Sequence, residues 1–324
     1  MGQDATTSTA LTREPAREPA REPAHEPAST PPDGSEGRAG RADGAGAAPS
    51  PRPVRVLSAD ASGGHGAVLR DLADGFAMSP VWRAFAWDEI QNRYRRSVLG
   101  VAWIGVSYLF FVLGIVVLFR GYTETGSGAF VHYVAVGYAA FVFLAGNLTD
   151  GCEVFRSNAT WLKSTDLPRS VYVFKSVARS AFPFTLQLGV GLLVMVATGW
   201  RPGVSALGVV PALGAYFVAA VGVQLLLGHL AARLPDVRHL VSTVQRMLFF
   251  LTPVMWVYAE REGAARALAF ANPLTHYVEV LRAPLLGEPI APSSWPIVVA
   301  STAGLWVAAL LVAGAMRRRL PFWV

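Results

Sequence analysis

Long apolar runs separated by short polar segments occupy most of the chain after residue 97. The first run, residues 98–119, contains no Asp, Glu, Lys or Arg in 22 consecutive positions. A helix of that length rises about 33 Å, close to the thickness of a bilayer's hydrocarbon core. Five further apolar runs follow, at residues 130–148, 181–198, 204–230, 243–258 and 297–316. The pattern predicts six transmembrane helices.

The segment before the first run, residues 82–96, combines aromatic and charged side chains. Its apolar side chains recur at helical spacing, and most of its charged side chains fall between them. The apolar set is Trp82, Phe85, Ala86, Ile90 and Tyr94. Because tryptophan, tyrosine and arginine favour the headgroup layer of a membrane, we expect an amphipathic interface helix here. A plain juxtamembrane anchor is the alternative.

Residues 150–179 form the longest polar segment between apolar runs. Pro168 ends any helix that precedes it, because proline lacks the amide hydrogen that a helix needs. Residues 158–163 are predicted as a short helix within this segment.

A second polar segment precedes the last apolar run. Asn272 and Pro273 suit the start of a helix, because asparagine caps and proline fits the first turn. The spacing that follows predicts a short amphipathic helix at the outer surface, with Glu279 and Arg282 placed to pair there. The whole pattern therefore predicts an all-α membrane protein with six transmembrane helices, an N-terminal amphipathic interface helix and short re-entrant or outer amphipathic helices before the last span.

The first 68 residues have a different composition. The sequence Arg-Glu-Pro-Ala repeats three times from Arg13 and once more, altered, from His25. Such a stretch buries too little apolar surface to offset its chain entropy, and it lacks the apolar core of a signal peptide. We expect a disordered cytoplasmic tail at residues 1–68 and one transmembrane domain at residues 69–324.

Composition supports the membrane assignment. Charged residues make up only 15% of the chain and apolar residues 52%, whereas soluble domains carry about 25% charged residues. The net charge of +6 comes from basic residues between apolar runs, which fits membrane orientation better than binding of nucleic acid. The single cysteine, Cys152, excludes an intrachain disulfide.

The basic residues also predict orientation. With the amino terminus inside and six spans, fifteen of the Arg and Lys residues after position 80 lie in inside segments and five in outside segments. Inside loops of membrane proteins carry such an excess of positive charge. Both termini are therefore expected in the cytoplasm.

Motifs for enzymatic chemistry are missing from the sequence. It contains no Walker A loop, no HExxH or clustered Cys and His pattern, and no GxSxG elbow. Acidic residues are almost absent from the apolar runs, which argues against a proton-coupled carrier. We expect no catalytic residue, no metal site and no cofactor bound by this chain.

Residues 93–100, RYRRSVLG, together with Trp103, carry a family resemblance. They resemble the RYRRSxLGxxW signature of ABC-2 permeases that export polysaccharides and polyol phosphates, such as O-antigen, capsule, teichoic acid and galactan. The resemblance covers about residues 70–324. It implies a homodimer in the cytoplasmic membrane of a bacterium, a separate ABC ATPase subunit that binds ATP and Mg, and a lipid-linked glycan substrate.

The resemblance also implies roles for individual residues. The conformational change of the ATPase would be transmitted to the chain through Trp87, Arg93, Arg156, Lys163 and Asp166. An anionic diphosphate headgroup would arrive beside the first span, where basic side chains attract it. The residues of this predicted headgroup entry are Arg93, Tyr94, Arg95 and Arg96.

Aromatic side chains suit the passage of a glycan, because sugar rings stack their C–H faces on aromatic rings. The channel-lining candidates are Trp103, Tyr108, Phe110, Tyr138, Phe249 and Trp256. For each of them, packing in the bundle or against lipid is the alternative.

Three other functions are left open by the sequence. An ABC-2 permease for a drug or another lipid would differ only in its substrate. A membrane-embedded glycosyltransferase or acyltransferase would need a catalytic carboxylate or histidine, for which Asp150, Glu153 and His276 are the candidates. A scaffold without chemistry of its own is the third.

Overall fold

The computed structural model describes residues 64–95, 98–122 and 126–324, and every regular element in these ranges is helical. The α-helices are α1 His65–Ala77, α2 Ser79–Tyr94, α3 Ala102–Phe119, α4 Ser127–Glu153, α5 Ala159–Ser164, α6 Ser170–Ala197, α7 Val209–Arg233, α8 Asp236–Leu251, α9 Gly263–Ala271, α10 Pro273–Leu286, α11 Ser294–Met316 and α12 Leu320–Trp323. Five 3-10 turns connect them, at Arg120–Tyr122, Arg156–Asn158, Val204–Gly208, Tyr258–Glu260 and Arg317–Arg319. The predicted all-α fold is confirmed.

Five helical segments of the described ranges are long and apolar enough to cross a membrane. They are Ala102–Phe119, Gly128–Glu153, Ser170–Ala197, Val204–Arg233 and Ser294–Trp323. These segments overlap five of the six predicted spans.

The other predicted span, residues 243–258, differs from its prediction. The helix at this place, α8, has 16 residues, which rise about 24 Å and fall short of a full bilayer core. It begins at the polar end with Asp236 and stops at Leu251, because Pro253 holds the preceding Thr252 in an extended conformation. The count of six spans is therefore not confirmed.

α4 lies at the centre of the bundle. It packs against α3, α6, α7, α8 and α10, and its buried face includes Ala135, Ala139 and Ala140. Small side chains let neighbouring helices approach closely, which favours helix association in lipid. The main apolar core forms around α4, between α3, α6, α7 and α10, and α11 packs against α7 and α10.

One uncharged polar contact lies inside this core. Gln224 of α7 donates its amide to Asn147 Oδ1 of α4 at 2.7 Å, and both side chains are buried. Asn147 in turn donates to the carbonyl oxygen of Phe143 at 2.7 Å. The pair joins the two central helices by a directional contact.

The helix predicted before the first span is present as α2, and its position at a membrane interface stays a prediction. Its predicted apolar side chains are all buried or half-buried, whereas Arg83 and Asp88 are exposed. The sequence pattern did not predict the helix before it. That helix, α1, packs on α6 and α11, and its first residues fall inside the predicted tail. The rest of the tail, up to residue 63, lies outside the described residues.

Two short helices, α9 and α10, precede the last span as predicted. The side chain of Asn272 caps α10 by accepting a hydrogen bond from the Leu274 amide at 3.1 Å. α10 is mostly buried against other helices, from Thr275 to Leu285, and its place on the outer side of the membrane stays a prediction.

The predicted surface pair between Glu279 and Arg282 is not formed. Arg282 is only 5% exposed; its guanidinium donates to the carbonyl oxygen of Pro253 at 2.9 Å and lies 3.5 Å above the ring of Tyr133. Glu279 instead accepts a hydrogen bond from the Ala291 amide at 2.9 Å. Close packing of α10 against α4 places Arg282 inside the protein.

Candidate functional site, where the interface helix meets the bundle

A network of charged side chains joins α2 to the bundle. Glu89 of α2 accepts a hydrogen bond from Lys175 Nζ at 2.9 Å and another from Arg179 Nη1 at 2.6 Å, both on α6. Arg179 also contacts Asp150 Oδ1 of α4 at 2.9 Å. We call Glu89, Asp150, Lys175 and Arg179 the charge network. It connects three helices through two carboxylates and two cations.

Two neighbouring side chains complete the charge network. Ser180 donates its hydroxyl to Asp150 Oδ2 at 2.5 Å, so both oxygens of Asp150 have partners. Lys175 donates to the buried Asn158 Oδ1 at 2.7 Å, which joins the network to the turn before α5. These contacts link α2 to α4, α6 and the α5 segment.

The protonation of Glu89 is set by these contacts. Partial burial raises the pKa of its carboxyl, but the hydrogen bonds from Lys175 and Arg179 outweigh burial. The pKa of Glu89 therefore lies below the ordinary glutamate value. At neutral pH the carboxylate is charged and the contacts with α6 are intact.

A second carboxylate, Asp71 of α1, holds the start of α6. It accepts hydrogen bonds from the amides of Arg169 at 3.1 Å and Ser170 at 2.8 Å. It also contacts Arg317 Nη2 at 3.1 Å, in the 3-10 turn after α11. The first amides of a helix lack partners within the helix and carry partial positive charge, so a carboxylate there is stabilising. Asp71 thereby joins α1, α6 and the carboxyl-terminal segment.

The predicted ATPase-coupling residues lie on the surface around α2 and α5. Trp87 is 53% exposed, and Arg156, Lys163 and Asp166 are exposed as well. The two segments touch each other through the rings of Phe85 and Trp161, whose centroids are 5.7 Å apart.

The described members of the predicted headgroup entry lie at the end of α2. Arg93 and Arg95 are exposed, Tyr94 is half-buried, and Arg96 lies outside the described residues. Arg93 borders a cavity between α2, α4 and α6 that has a volume of about 140 Å³. This residue was predicted for both coupling and headgroup entry, and the structure places it next to the charge network.

Three of the six channel-lining candidates belong to one aromatic cluster between α3, α4 and α8. Tyr138 stacks on Tyr108 with centroids 5.9 Å apart and on Phe111 at 4.1 Å, and Phe111 contacts Phe249 edge-to-face at 5.8 Å. Tyr108 is buried, and its hydroxyl donates to the Ala135 carbonyl oxygen at 2.7 Å. Sequence reasoning missed Phe111, which lies between the others.

The other three candidates lie apart from this cluster. Trp103 is 56% and Phe110 is 75% exposed, both on α3. Trp256, in the turn after α8, donates its indole N–H to the Phe250 carbonyl oxygen at 3.2 Å.

Exposed apolar side chains form a stripe on α3 and another on α8. The members on α3 are Trp103, Phe110, Leu113 and Val117, and those on α8 are Leu240, Val244, Met247 and Phe250. Their spacing along each helix places the members on one face. α8 buries no side chain completely, so this face has no cover within the described part of the chain.

The candidates for a transferase each have a structural partner. Asp150 contacts Arg179 and Ser180, and Glu153 pairs with Arg238 Nη1 at 2.6 Å. His276 contacts Ser294 Oγ at 3.0 Å and the Phe270 carbonyl oxygen at 2.9 Å. Among the described residues no group of His, Cys, Asp and Glu side chains is arranged to hold a metal ion. The described geometry gives none of the three a catalytic arrangement.

Sequence reasoning missed most of the charge network. The signal for Glu89 was its position, since it falls beside the apolar face of α2 rather than opposite to it. Arg179 and Lys175 were counted only as charges of a polar segment, although they lie one turn apart on α6. Their partners come from α2 and α4, which no spacing along the chain reveals.

Comparison with known proteins agrees with the fold. A family model described as ABC-2 type transporter matches residues 80–286, more than half of the chain. An O-antigen export system permease protein RfbA from Klebsiella pneumoniae is 22% identical over 169 residues, which cover 52% of this chain and 65% of that protein. A protein of the same name from Myxococcus xanthus is 24% identical over 227 residues, 68% of this chain and 86% of its own length. The family match spans α2 to α10 and establishes that the chain belongs to the ABC-2 type transporter family.

Proposed function

We propose that this chain is the permease subunit of an ATP-driven exporter of a lipid-linked cell-envelope polysaccharide of the O-antigen, teichoic acid or galactan type. The family match and the two O-antigen export relatives support this proposal. The described residues of the motif at 93–100 lie at the junction of α2 and α3. The observation that carries the proposal is the charge network, which ties this junction to the central helices.

In the proposed mechanism a separate ABC ATPase subunit binds ATP and Mg and docks on the surface of α2 and α5. Trp87, Arg156, Lys163 and Asp166 are exposed there for the contact. Closure of the ATPase pushes α2, and the charge network passes this movement to α4 and α6. The chain then contributes motion and a passage, while the hydrolysis takes place on the partner.

Two copies of the permease would enclose the passage. The apolar stripes on α3 and α8 supply a surface for the second copy or for the lipid that replaces it. The aromatic cluster around Tyr138 lies between the same helices, where it can guide sugar rings. We place the assembly in the cytoplasmic membrane of a bacterium, with both termini in the cytoplasm.

Purification of the tagged chain from its native membrane in mild detergent tests the partner. We expect an ABC ATPase subunit at equal stoichiometry, with ATP hydrolysis that is lost when the Walker lysine of that subunit is replaced. Lipid extracts of a strain depleted of the chain should accumulate a lipid-linked glycan. Recovery of the chain without any ATPase would contradict the proposal, and accumulation of a different lipid would favour another cargo.

Surface substitutions test the docking site. Replacing Arg156 and Lys163 by alanine together should reduce recovery of the ATPase several-fold. Arg201 and Arg261 are also exposed and lie in segments assigned to the other side of the membrane, so their double alanine variant is the matched control. Equal losses in the two variants would contradict the proposed docking surface and orientation.

A further inference from the structure

The cavity between α2, α4 and α6 combines Arg93, which the motif resemblance assigns to headgroup entry, with residues of α4 and α6 that neither the motif nor the relatives assign. Its lining includes Arg93 from α2, Gly146 and Asp150 from α4, and Ser180 and Gln187 from α6. About 10–15 Å³ of such space holds one water molecule. A volume of about 140 Å³ therefore leaves room for a phosphate group with an attached hydroxyl-bearing group.

The polar end of the cavity carries one positive charge in excess. Glu89 and Asp150 balance Lys175 and Arg179 within the charge network. Arg93 adds a further guanidinium, and none of the described residues forms an ion pair with it. A cavity with this net positive charge attracts an anion, and the paired N–H groups of an arginine guanidinium match the oxygens of a phosphate.

The inner end of the cavity offers an unused acceptor. The side-chain oxygen of Gln187 is buried and has no hydrogen-bond partner within the described ranges. Leaving a buried polar atom unpaired costs about 1–3 kcal/mol, so such an atom commonly has a partner. An amide oxygen needs a donor, which a phosphate diester lacks and a hydroxyl group supplies.

The remaining walls are aromatic. Phe143 and Phe184, both almost fully buried, line the cavity with their rings stacked 4.6 Å apart. They give the hydroxyl-bearing group an apolar neighbour, as the C–H face of a sugar or a glycerol requires.

We propose that this cavity binds a lipid headgroup in which a phosphate is joined to a hydroxyl-bearing group, with the phosphate at Arg93 and a hydroxyl donating to Gln187 Oε1. Such a headgroup has two sources: a lipid carrier whose diphosphate bears a sugar, and a phospholipid with a hydroxylated headgroup such as phosphatidylglycerol. The first source rests on the proposed function. The second does not depend on it.

Binding is measured with the full-length chain in detergent by native mass spectrometry. The probes are a short polyprenyl diphosphate carrying one sugar, phosphatidylglycerol, and phosphatidylcholine, which has phosphate but no hydroxyl. We expect the sugar-bearing diphosphate to bind at least tenfold more tightly than phosphatidylcholine. If phosphatidylglycerol binds equally well and displaces it, the phospholipid source is supported and the glycan carrier is overturned as the ligand.

Filling the cavity tests its location. A Cβ built on Gly146 meets no atom within 4 Å, so Gly146→Leu places its side chain in open space of the cavity. We expect about a tenfold loss of affinity for the preferred probe. Gly304 of α11 also has open space around its Cβ and does not line the cavity, so Gly304→Leu is the matched control.

Gln187→Leu separates binding from stability. The variant removes an acceptor that has no partner, so the melting temperature should stay equal or rise, while affinity falls about tenfold. A purely structural glutamine would lower the melting temperature instead. Unchanged affinity in both Gly146→Leu and Gln187→Leu, or equal binding of phosphatidylcholine by the unmodified chain, would overturn the cavity proposal.

The binding measurement needs neither ATPase nor transport, so its result is separate from the proposed function. If no ATPase partner is found but Gly146→Leu still weakens binding, only the exporter fails. If Gly146→Leu loses affinity for the sugar-bearing diphosphate but exports glycan at the unmodified rate, the glycan carrier is overturned as the ligand of this cavity, while the proposed function and the phospholipid source stand.

Discussion

Arg179 and Arg282 are both shielded from solvent, yet the protein stabilises them in different ways. Arg179 contacts two carboxylates that come from α2 and α4. Arg282, at 5% exposure, has the carbonyl oxygen of Pro253 and the ring of Tyr133 instead. The first arrangement joins three separate helices, whereas the second fixes the turn that ends α8 against α4 and α10.

The two arrangements differ in whether water can replace their contacts when the helices move. The charge network is partly exposed, with 31% of the Glu89 side chain and 34% of the Asp150 side chain accessible, so water can replace its contacts during a movement. Around Arg282 there is little access for water, so breaking its contacts leaves a buried charge without compensation. We expect the region of α2 to transmit movement and the region of α10 to stay rigid.

Among these variants, we expect the largest loss of unfolding free energy from Arg282→Met. The change leaves the Pro253 carbonyl oxygen without its donor and removes the cation from the Tyr133 ring, which together cost about 3 kcal/mol of unfolding free energy. Unfolding of the purified chain by titration with SDS measures it. Arg266, which is exposed and 5.6 Å from the ring of Tyr258, is the matched control, and Arg266→Met should cost under about 0.5 kcal/mol. Equal losses of unfolding free energy in Arg282→Met and Arg266→Met would contradict the rigid, buried role given to Arg282.

Glu89→Gln should cause an intermediate loss of unfolding free energy. It weakens two charge-assisted hydrogen bonds that are partly screened by solvent, so we expect a loss of about 1–2 kcal/mol in the same SDS titration. The neighbouring Asp88 is exposed and bonds only within α2, to Asn92 at 3.0 Å, so Asp88→Asn is the control. ATP-driven export should fall more in Glu89→Gln than in Arg282→Lys if the charge network transmits movement. The reverse order would refute that role.

The pH dependence of the same variant follows from the lowered pKa of Glu89. A carboxyl whose pKa is lower in the folded state stabilises the fold fully above its unfolded pKa, about 4.3 for glutamate. That stabilisation is lost as the pH falls through the folded pKa. The stability difference between the unmodified chain and Glu89→Gln should therefore be constant from about pH 8 to pH 5 and shrink below about pH 4. A difference that already narrows between pH 8 and pH 5 would show that Glu89 is not held in this way.

We expect the smallest loss of unfolding free energy when the uncharged pair between α4 and α7, Gln224 and Asn147, is broken. Asn147→Leu leaves the amide of Gln224 unpaired, and hydrogen bonds between membrane helices contribute about 1 kcal/mol on average or less. Thr149 of α4 donates only to the Gly146 carbonyl oxygen within its own helix, at 2.9 Å, so Thr149→Ala is the control. If Asn147→Leu lost as much unfolding free energy as Arg282→Met, the size of the loss would depend on burial of the polar group rather than on its charge.

The accuracy of the sequence predictions varied with the kind of feature. Apolar runs located five helices that can span a membrane, because their length and composition are set by the bilayer. The segment at residues 243–258 was predicted as a span because it is apolar. In the structure, Pro253 ends the helix and leaves α8 short. Apolar content alone does not distinguish a span from a short helix followed by a buried turn.

The candidate site was predictable only in part. The motif at residues 93–100 pointed to the junction between α2 and α3, and Arg93 does border the cavity there. The partners of Glu89 lie 86 or more positions away, at Lys175 and Arg179. Such a pairing depends on which faces of α2 and α6 meet, and a helical pattern without an alignment does not specify the facing partner.

The sequence by itself determined the class of protein, the apolar helices and the amphipathic character of α2, because these follow from periodicity and from transfer of side chains into lipid. Only the tertiary structure decided that α10 is buried with Arg282 inside, that Glu89 and Asp150 share Arg179, and that Gln187 faces a cavity. Each of these depends on how helices rotate and pack against one another. In a bundle where lipid and protein are both apolar, small side chains and paired polar groups decide that rotation.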